Sequence, residues 1–238
     1  MPRVADPAVR AALVETAAQI LATEGPSRLT LRHLATRVGT STMAIYTHFG
    51  GMDQLRLEVC TEGFRRLAAH LAAVARTDDP VADLNALGAA YTTNARQNPH
   101  LYRAMFLDRL PVTTPVDVGF GLPGEGAVAG GVIDDEAMAG VTSELMAESM
   151  ATFEVLVEVT MRCVDAGRFS DPRDPRTLAA ELWGATHGIV ALELAGLIDT
   201  EHASVLLAST GRHLALAFGD EPAAHAVSTA AAVAARTS

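Results

Sequence analysis

The chain has 238 residues, of which 49% are hydrophobic and only 5% aromatic, and it carries a formal net charge of −10. Much of the hydrophobic fraction is alanine, which favours helices over strands, so we predict an all-α fold. The acidic balance excludes a protein that coats nucleic acid or an anionic membrane with its whole surface. The two cysteines, Cys60 and Cys163, lack the number and spacing of a disulfide framework or a metal site.

The charge is divided unevenly along the chain. Residues 1–50 contain five arginines and three acidic residues, a net charge of +2, so the other 188 residues carry −12. The N-terminus has no apolar run typical of a signal peptide, and no stretch of 18 apolar residues occurs. These features predict a cytoplasmic protein whose N-terminal part is distinct from the rest.

The first predicted helix runs from Asp6 to Glu24, with Asp6 as its cap, and Gly25-Pro26 ends it. Thr30 then caps a helix over residues 31–38, and Ser41 caps another over residues 42–47. Gly39-Thr40 forms the tight turn between them. Two short helices joined by a glycine-containing turn are typical of a helix-turn-helix.

In a helix-turn-helix, the N-terminal residues of the second helix face base edges in the major groove. A threonine can hydrogen-bond a base there, small and apolar side chains can contact a thymine methyl, and flanking polar groups reach phosphates. Arg3 and Arg10 could add contacts from an N-terminal arm. The candidate DNA-binding residues are Thr30, Ser41, Thr42, Met43, Ala44, Tyr46 and His48. The alternative is a helix pair that binds nothing, with Tyr46 in the core and His48 an ordinary surface residue.

Helical patterns continue through the remainder of the chain. They predict helices over about 52–76, 80–98, 100–110, 134–167, 174–196 and 200–218, and a long loop over 111–132. We therefore expect a DNA-binding domain over residues 1–51, a helical domain over 52–220, and an alanine-rich tail over 221–238 that is free to fray.

The stretch from Leu29 to Phe49, LTLRHLATRVGTSTMAIYTHF, resembles the N-terminal DNA-binding domain of the TetR family of transcriptional regulators. The resemblance covers about the first 60 residues. It implies that Thr30, Thr42, Met43, Tyr46 and His48 sit at positions that usually touch DNA. The family often has a lysine where this chain has Met52, which implies one phosphate contact fewer.

Two C-terminal segments, 98–106 and 182–193, resemble the tryptophan–histidine–glycine branch of that family. The resemblance implies a ligand-binding and dimerisation domain whose last two long helices pair with their copies in a four-helix bundle. Residues 178–196 are themselves apolar nearly all round, which predicts burial on every side. A partner subunit could cover one side, and the alternative is a core helix of a monomer.

The candidate ligand-binding residues are bulky or soft side chains on the middle helices, because such pockets are mostly apolar with a few polar groups. They are Tyr102, Met105, Phe106, Met146, Met150, Phe153, Trp183 and His187. Asn94 and Glu193 are candidate polar anchors. The same residue types at helical spacing also form ordinary cores.

A catalytic constellation is not evident in the sequence. The histidines show no HExxH spacing, and there is no G-x-S-x-G element or glycine-rich phosphate loop. We expect no cofactor and no metal, and we predict a repressor that binds palindromic operator DNA as a homodimer and is released by an unknown small molecule. The alternatives are a dimeric sensor without DNA binding and, less favoured, an all-α enzyme.

Overall fold

The computed structural model describes residues 6–106 and 136–237. The described residues form ten α-helices and one short 3₁₀ turn, Pro26–Arg28, so the all-α prediction is confirmed. The helices are α1 (Pro7–Glu24), α2 (Leu31–Val38), α3 (Thr42–Phe49), α4 (Met52–Ala72), α5 (Pro80–Gln97), α6 (Pro99–Phe106), α7 (Glu136–Asp165), α8 (Pro175–Leu194), α9 (Thr200–Ala217) and α10 (Pro222–Thr237). The predicted loop over 111–132 and Arg3 lie outside the described residues.

The described chain divides into two compact units. The first contains residues 6–66, 98–106 and 136–150, and the second contains residues 67–97 and 151–237. Helices α4 and α7 each begin in the first unit and end in the second. No helix among the residues described is long and apolar enough to cross a membrane.

The first unit is built on α1, which packs against α2 and α6. Its buried stripe includes Leu13, Ala17 and Ile20, each with no exposed surface, as the helical spacing of apolar residues predicts. The Asp6 carboxylate caps the helix by accepting a hydrogen bond from the N–H of Ala8 at 2.9 Å. Met52 is half-buried and packs on this same core, which explains an apolar residue at that position.

Helix α4 ends at Ala72, earlier than the predicted residue 76. The N–H of Val74 bonds to the carbonyl of Leu71, which tightens the last turn. Beyond it, the N–H and hydroxyl of Thr77 both donate to the buried Asp83 carboxylate, and the Thr77 carbonyl accepts from Arg162. These tertiary bonds hold the segment before α5 in a non-helical conformation despite its helix-favouring alanines.

The second unit is organised around α5, which packs against α8 and α10. The segment beyond residue 220, expected as a tail that could fray, is instead helical from Pro222 to Thr237. Alanine favours helix, and polar contacts fix this helix in place, because His225 and Ser228 are buried and bond to Asp220 and Asp79 respectively. Sequence pattern alone did not show these partners.

Candidate functional site

The two short helices α2 and α3 are set by capping and by one glycine. The Thr30 hydroxyl accepts from the N–H of His33 at 3.3 Å, and the Ser41 hydroxyl accepts from the N–H of Ala44 at 3.3 Å. Gly39 adopts φ +75°, a left-handed conformation that glycine reaches without steric cost. The turn between the helices therefore follows directly from the sequence Gly39-Thr40-Ser41.

Helix α3 has one buried side and one exposed side. Ile45 and Phe49 are buried in the core of the first unit. Met43 is 68% exposed and Tyr46 49% exposed, although both are large apolar residues, and Thr42 is exposed beside them. The exposed side thus combines a hydroxyl, a flexible thioether and a phenol, which suit contacts to base edges, thymine methyls and phosphates.

The other predicted DNA-contacting residues lie at the helix starts and at the edge of α3. Thr30 and Ser41 are exposed, and each hydroxyl also caps its helix. Ala44 is half-buried, and so is His48, whose ring centroid lies 6.0 Å from that of Phe49. The structure therefore places all seven predicted residues on α3, at its N-terminus or at the N-terminus of α2.

Glu24, at the C-terminal end of α1, anchors α2. Its carboxylate accepts from Arg37 at 2.7 Å and from the Nε2 of His33 at 3.0 Å, and it lies 3.7 Å from Arg28. Burial acts to raise the pKa of Glu24, but the bond from His33 and the nearby positive charges outweigh it and hold that pKa below its ordinary value. Helical periodicity does not indicate this anchor, because the partners of Glu24 are 4, 9 and 13 residues away.

Arg10 is not free to act as an N-terminal arm. Its guanidinium pairs with the buried Glu58 carboxylate at 2.8 Å and lies 5.4 Å from the centroid of the Phe49 ring. A paired arginine that also covers an aromatic ring is held within the fold. The expected phosphate contact by Arg10 therefore has no support from the geometry.

Five of the predicted ligand-binding residues belong to the first unit. Tyr102 and Met105 are buried and Phe106 is half-buried on α6, with the Tyr102 and Phe106 ring centroids 5.0 Å apart. Met146 and Met150 are exposed, one turn apart on α7. The structure therefore brings Tyr102 and Phe106 of α6 together with Phe64 in an aromatic cluster.

The remaining three belong to the second unit and lie together. Phe153 and Trp183 share one apolar cluster, and the ring of His187 stacks on Trp183 at 4.8 Å. The Tyr91 hydroxyl is hydrogen-bonded to Nδ1 of His187 at 3.0 Å, and burial lowers the pKa of His187. Tyr91 was not among the predicted residues, since its partner is 96 positions away along the chain.

A groove of about 200 Å³ opens in the second unit, and the predicted ligand residues are not among those that line it. Its wall is mostly apolar, and two ion pairs, Arg76–Glu158 and Arg162–Asp83, stand among the lining residues. The apolar lining includes Leu71, Val74, Leu87, Val155 and Val159.

Glu193, a candidate polar anchor for the ligand, accepts hydrogen bonds from Arg96 and Thr200. Its carboxylate therefore serves the fold.

Helices α8 and α9, which pack against each other, both have apolar residues at exposed positions. Gly184, Gly188 and Leu192 recur every fourth residue on the exposed side of α8, with Leu192 42% exposed. On α9, Val205 is 64% exposed and Leu206 42% exposed. The prediction that residues 178–196 are buried on every side is therefore not met within one chain. We call this surface, comprising Gly184, Gly188, Leu192, Val205 and Leu206, the α8–α9 face.

Metal ligands are not gathered anywhere in the described part of the chain: within 6–106 and 136–237, no group of three or more His, Cys, Asp or Glu side chains could hold an ion. Both cysteines are buried and unpaired, and burial raises the pKa of each thiol to about 12. These thiols are accordingly poor nucleophiles.

Two family models match the chain. The model of the bacterial regulatory proteins of the tetR family matches residues 13–59, and the model of the tetracyclin repressor-like C-terminal domain matches residues 84–207. Together they cover most of the sequence, including α2, α3, α7 and α8. The chain belongs to the tetR family of bacterial regulatory proteins.

Solved structures share the fold over nearly their whole length. A protein of unknown function from a Rhodococcus species is 21% identical, with a TM-score of 0.66, covering 92% of this chain and 100% of its own. The TetR family transcriptional regulator PfmR from Thermus thermophilus is 17% identical, with a TM-score of 0.63 and coverages of 88% and 99%. The fatty acid degradation regulator FadR from Bacillus halodurans is 14% identical, with a TM-score of 0.64 and coverages of 86% and 93%. No curated protein matches the sequence.

Proposed function

We propose that this regulator binds palindromic operator DNA as a homodimer through α3, represses transcription there, and leaves the DNA when a small molecule occupies its C-terminal helical domain. The observation that carries the DNA-binding part is the exposed side of α3. Met43 and Tyr46 stand out in solvent on a helix whose other side is anchored in the core by Ile45 and Phe49. Large apolar side chains exposed together on one side of a helix mark a candidate interaction site.

Selection from a library of random duplex DNA tests the DNA-binding proposal. The wild type is expected to enrich a symmetric motif whose half-site centres are about one helical turn, roughly 34–36 Å, apart. A variant combining Met43→Ala and Tyr46→Ala should lose that enrichment. The matched control combines Val227→Ala and Val233→Ala, which truncate equally exposed residues on α10. If neither the wild type nor the control enriches any motif although both are folded, that result would contradict DNA binding and favour a sensor without DNA binding.

The proposed dimer rests on the α8–α9 face. Its leucine and valine side chains are exposed in the single chain, and its glycines allow close approach of a second helix. An exposed apolar surface of this kind marks an interaction site. A two-fold dimer would also match the symmetry of a palindromic site. This arrangement agrees with the tryptophan–histidine–glycine branch suggested by residues 182–193.

The proposed ligand site is the cluster of Phe153, Trp183 and His187, together with Tyr91. The cluster offers aromatic surface with two polar groups, the composition of a small-molecule pocket. We propose an apolar small molecule with at least one hydrogen-bonding group as ligand. A ligand can shift the DNA-binding equilibrium only by its differential affinity for two states of the protein.

Fluorescence provides the test of the ligand site, because Trp183 is the only tryptophan in the sequence. A panel of small aromatic and acyl compounds is titrated while Trp183 emission and release from the selected operator are followed together. A compound that acts as ligand should change both at the same concentrations, and His187→Ala should weaken both. Release from DNA without any change in Trp183 emission would place the ligand elsewhere.

DNA binding by a bacterial regulator also implies a location in the cytoplasm, which we propose for this chain.

A further inference from the structure

A groove in the second unit has no part in the proposed function. It opens where the last turn of α4, the segment that follows α4, helix α5 and the second half of α7 meet. Its volume of about 200 Å³ has room for about seven groups the size of a water molecule. None of the residues proposed to bind the regulatory ligand lines it. The groove is therefore a separate candidate binding site.

The wall of the groove is mostly apolar. Leu71, Leu87 and Val159 line it as buried residues, and Val74 and Val155 line it as half-buried residues. Branched aliphatic side chains favour contact with apolar groups, which gain free energy when they leave water. Because two of these side chains are partly open to solvent, a small molecule can reach the wall without unfolding the unit. The body of an occupant is therefore expected to be apolar.

The charged groups that line the groove are two arginines and two carboxylates, and the first pair is buried. Each oxygen of Asp83 already accepts two hydrogen bonds, from Thr77 and from Arg162. An ionised carboxylate has about four acceptor positions, so Asp83 has none left for a ligand. Arg162 donates to Asp83 and to the carbonyl of Thr77, which uses two of its five N–H donors. This pair can therefore offer donors to a ligand but not acceptors.

The second ion pair is weak because it is exposed. Arg76 donates to Glu158 at 2.6 Å, and their side chains are 68% and 62% exposed. Exposed pairs contribute little to stability, so Glu158 can exchange Arg76 for water at little cost. A carboxylate from solution can then take its place, since arginine binds carboxylates through two parallel hydrogen bonds. A cation would find only the exposed Glu158, whereas an anion finds two arginines. The groove is thus complementary to a molecule with an apolar body and an anionic end.

We infer that this groove binds a small organic carboxylate. The apolar body of the molecule lies against the leucines and valines of the wall, and its carboxylate pairs with Arg76, with Arg162 as a second donor. A saturated chain of about seven carbons fills the available volume. The site belongs to the free protein and its occupation requires no DNA. A failure of the proposed DNA binding would therefore leave this inference standing, and the reverse also holds.

Isothermal titration calorimetry on the free wild-type protein tests the inference. The probes are the linear carboxylates from butanoate to decanoate, with the alcohols and amines of the same lengths for comparison. We expect one carboxylate per chain and an affinity that rises about twofold to fourfold per methylene. The rise should level off near about seven carbons, where the groove is full. Carboxylates should bind at least about fivefold more tightly than alcohols or amines of equal length, as charge-assisted hydrogen bonds require.

Two substitutions address the two parts of the site. Arg76→Gln should remove the advantage of carboxylates over alcohols and leave alcohol binding unchanged. Its matched control is Arg28→Gln, which removes an exposed arginine that also pairs with a glutamate. Val155→Phe fills part of the groove and should weaken the binding of carboxylates and alcohols at least tenfold. Val227→Phe adds the same bulk at an exposed position on α10 and should bind both as the wild type does. Circular dichroism melting confirms that each variant is folded.

Three results would overturn the inference. The first is the absence of binding by every carboxylate. The second is equal binding of carboxylates, alcohols and amines, or an unchanged preference for carboxylates in Arg76→Gln. The third is full binding by folded Val155→Phe, which would place the molecule elsewhere, such as in the cluster of Phe153 and Trp183. If Val155→Phe does not fold, the limit in chain length and the result for Arg76→Gln decide.

Discussion

At the scale of single residues, the side chains of the first unit form two groups. One group holds the helix-turn-helix together, and the other is exposed to solvent and available to contact DNA. Ile45 and Phe49 anchor α3 in the core, while Glu24 anchors α2 through His33 and Arg37. The side chains that remain exposed lie on α3 and on one side of α2. An eight-residue helix is marginally stable in isolation. The exposed side of α3 keeps a single orientation because the other side of the helix is fixed in the core.

Tyr46→Phe separates the hydroxyl of Tyr46 from its ring. The hydroxyl is proposed to donate to a phosphate, and a hydrogen bond to a charged group contributes about 1.5–3 kcal/mol. We therefore expect operator binding to weaken by roughly tenfold to a hundredfold per half-site. The slope of log K against log salt should stay the same, because a neutral donor releases no counterion. Gel-shift titrations at two salt concentrations measure both quantities.

Two results would contradict the assigned role of Tyr46. Unchanged affinity of Tyr46→Phe would mean that the hydroxyl makes no contact with DNA. A change of the salt slope by about one unit would mean that the variant rearranges charged contacts elsewhere. The variant is expected to be as stable as the wild type, since Tyr46 is half exposed.

At the scale of helices, an ionic cluster in the second unit holds three segments together. Arg168, after α7, pairs with Asp220 at 2.7 Å and with Asp79 at 3.2 Å, and Ser228 on α10 donates to Asp79 at 2.6 Å. Asp79 also caps α5 by accepting from the N–H groups of Val81 and Ala82. The Asp79 carboxylate thus caps the start of α5 and also holds α10 in place.

This cluster predicts a specific acid sensitivity. Burial acts to raise the pKa of Asp79, but the hydrogen bonds from Ser228, Ala82 and Val81 and the charge of Arg168 together hold that pKa below its ordinary value. A carboxyl whose pKa is lowered by folding contributes stability that is fully present above its unfolded pKa, about 3.9, and is lost as the pH falls through its folded pKa. Part of the stability of this chain should therefore disappear below about pH 4.

Asp79→Asn tests that prediction, because asparagine keeps the helix cap and removes the charge. At pH 7 the variant should be about 1–3 kcal/mol less stable than wild type, since hydrogen bonds to charged groups are lost. Between pH 5 and pH 3 its urea midpoint should fall less than that of the wild type. Asp78→Asn, at the exposed neighbouring position, is the control and should follow the wild type. Parallel pH profiles for wild type and Asp79→Asn would show that the carboxylate has no such role.

Helix positions were largely predictable from the sequence, and long-range polar partners were not. Asp6, Thr30 and Ser41 mark helix starts by local capping, and Gly39 marks the turn, so α1 to α3 could be located with little error. The exposed side of α3 followed from the same spacing. The end of α4 depends on the hydrogen bonds of Asp83, and the docking of α10 depends on those of Asp220 and Asp79. The partners of these aspartates lie up to 149 residues away along the chain. Periodicity contains no information on such contacts.

The predicted ligand-binding residues show the same limit. Aromatic and methionine positions were correctly recognised as helical and often buried, but sequence cannot say which of them meet. Phe153, Trp183 and His187 lie together, and the structure adds Tyr91 to them. Met146 and Met150 are exposed instead.

At the scale of the whole molecule, the α8–α9 face predicts self-association. Val205→Glu places a charge in the middle of that face at a position that is 64% exposed in the single chain. The variant should therefore fold normally but sediment as a monomer at micromolar concentrations, since a buried unpaired charge is costly at an interface. Operator binding should weaken with it. Val227→Glu, at an equally exposed valine on α10, should remain dimeric, and a monomeric wild type would contradict the proposed interface.

The most direct test of the central proposal is the mass of the complex with DNA. Wild-type protein is sedimented to equilibrium with duplexes that contain both half-sites of the selected motif or only one. We predict two chains of 24.9 kDa on the duplex with both half-sites, bound at least a hundredfold more tightly than the single half-site. One chain per duplex, with equal affinity for one and two half-sites, would contradict a homodimer that reads a palindrome through paired α3 helices.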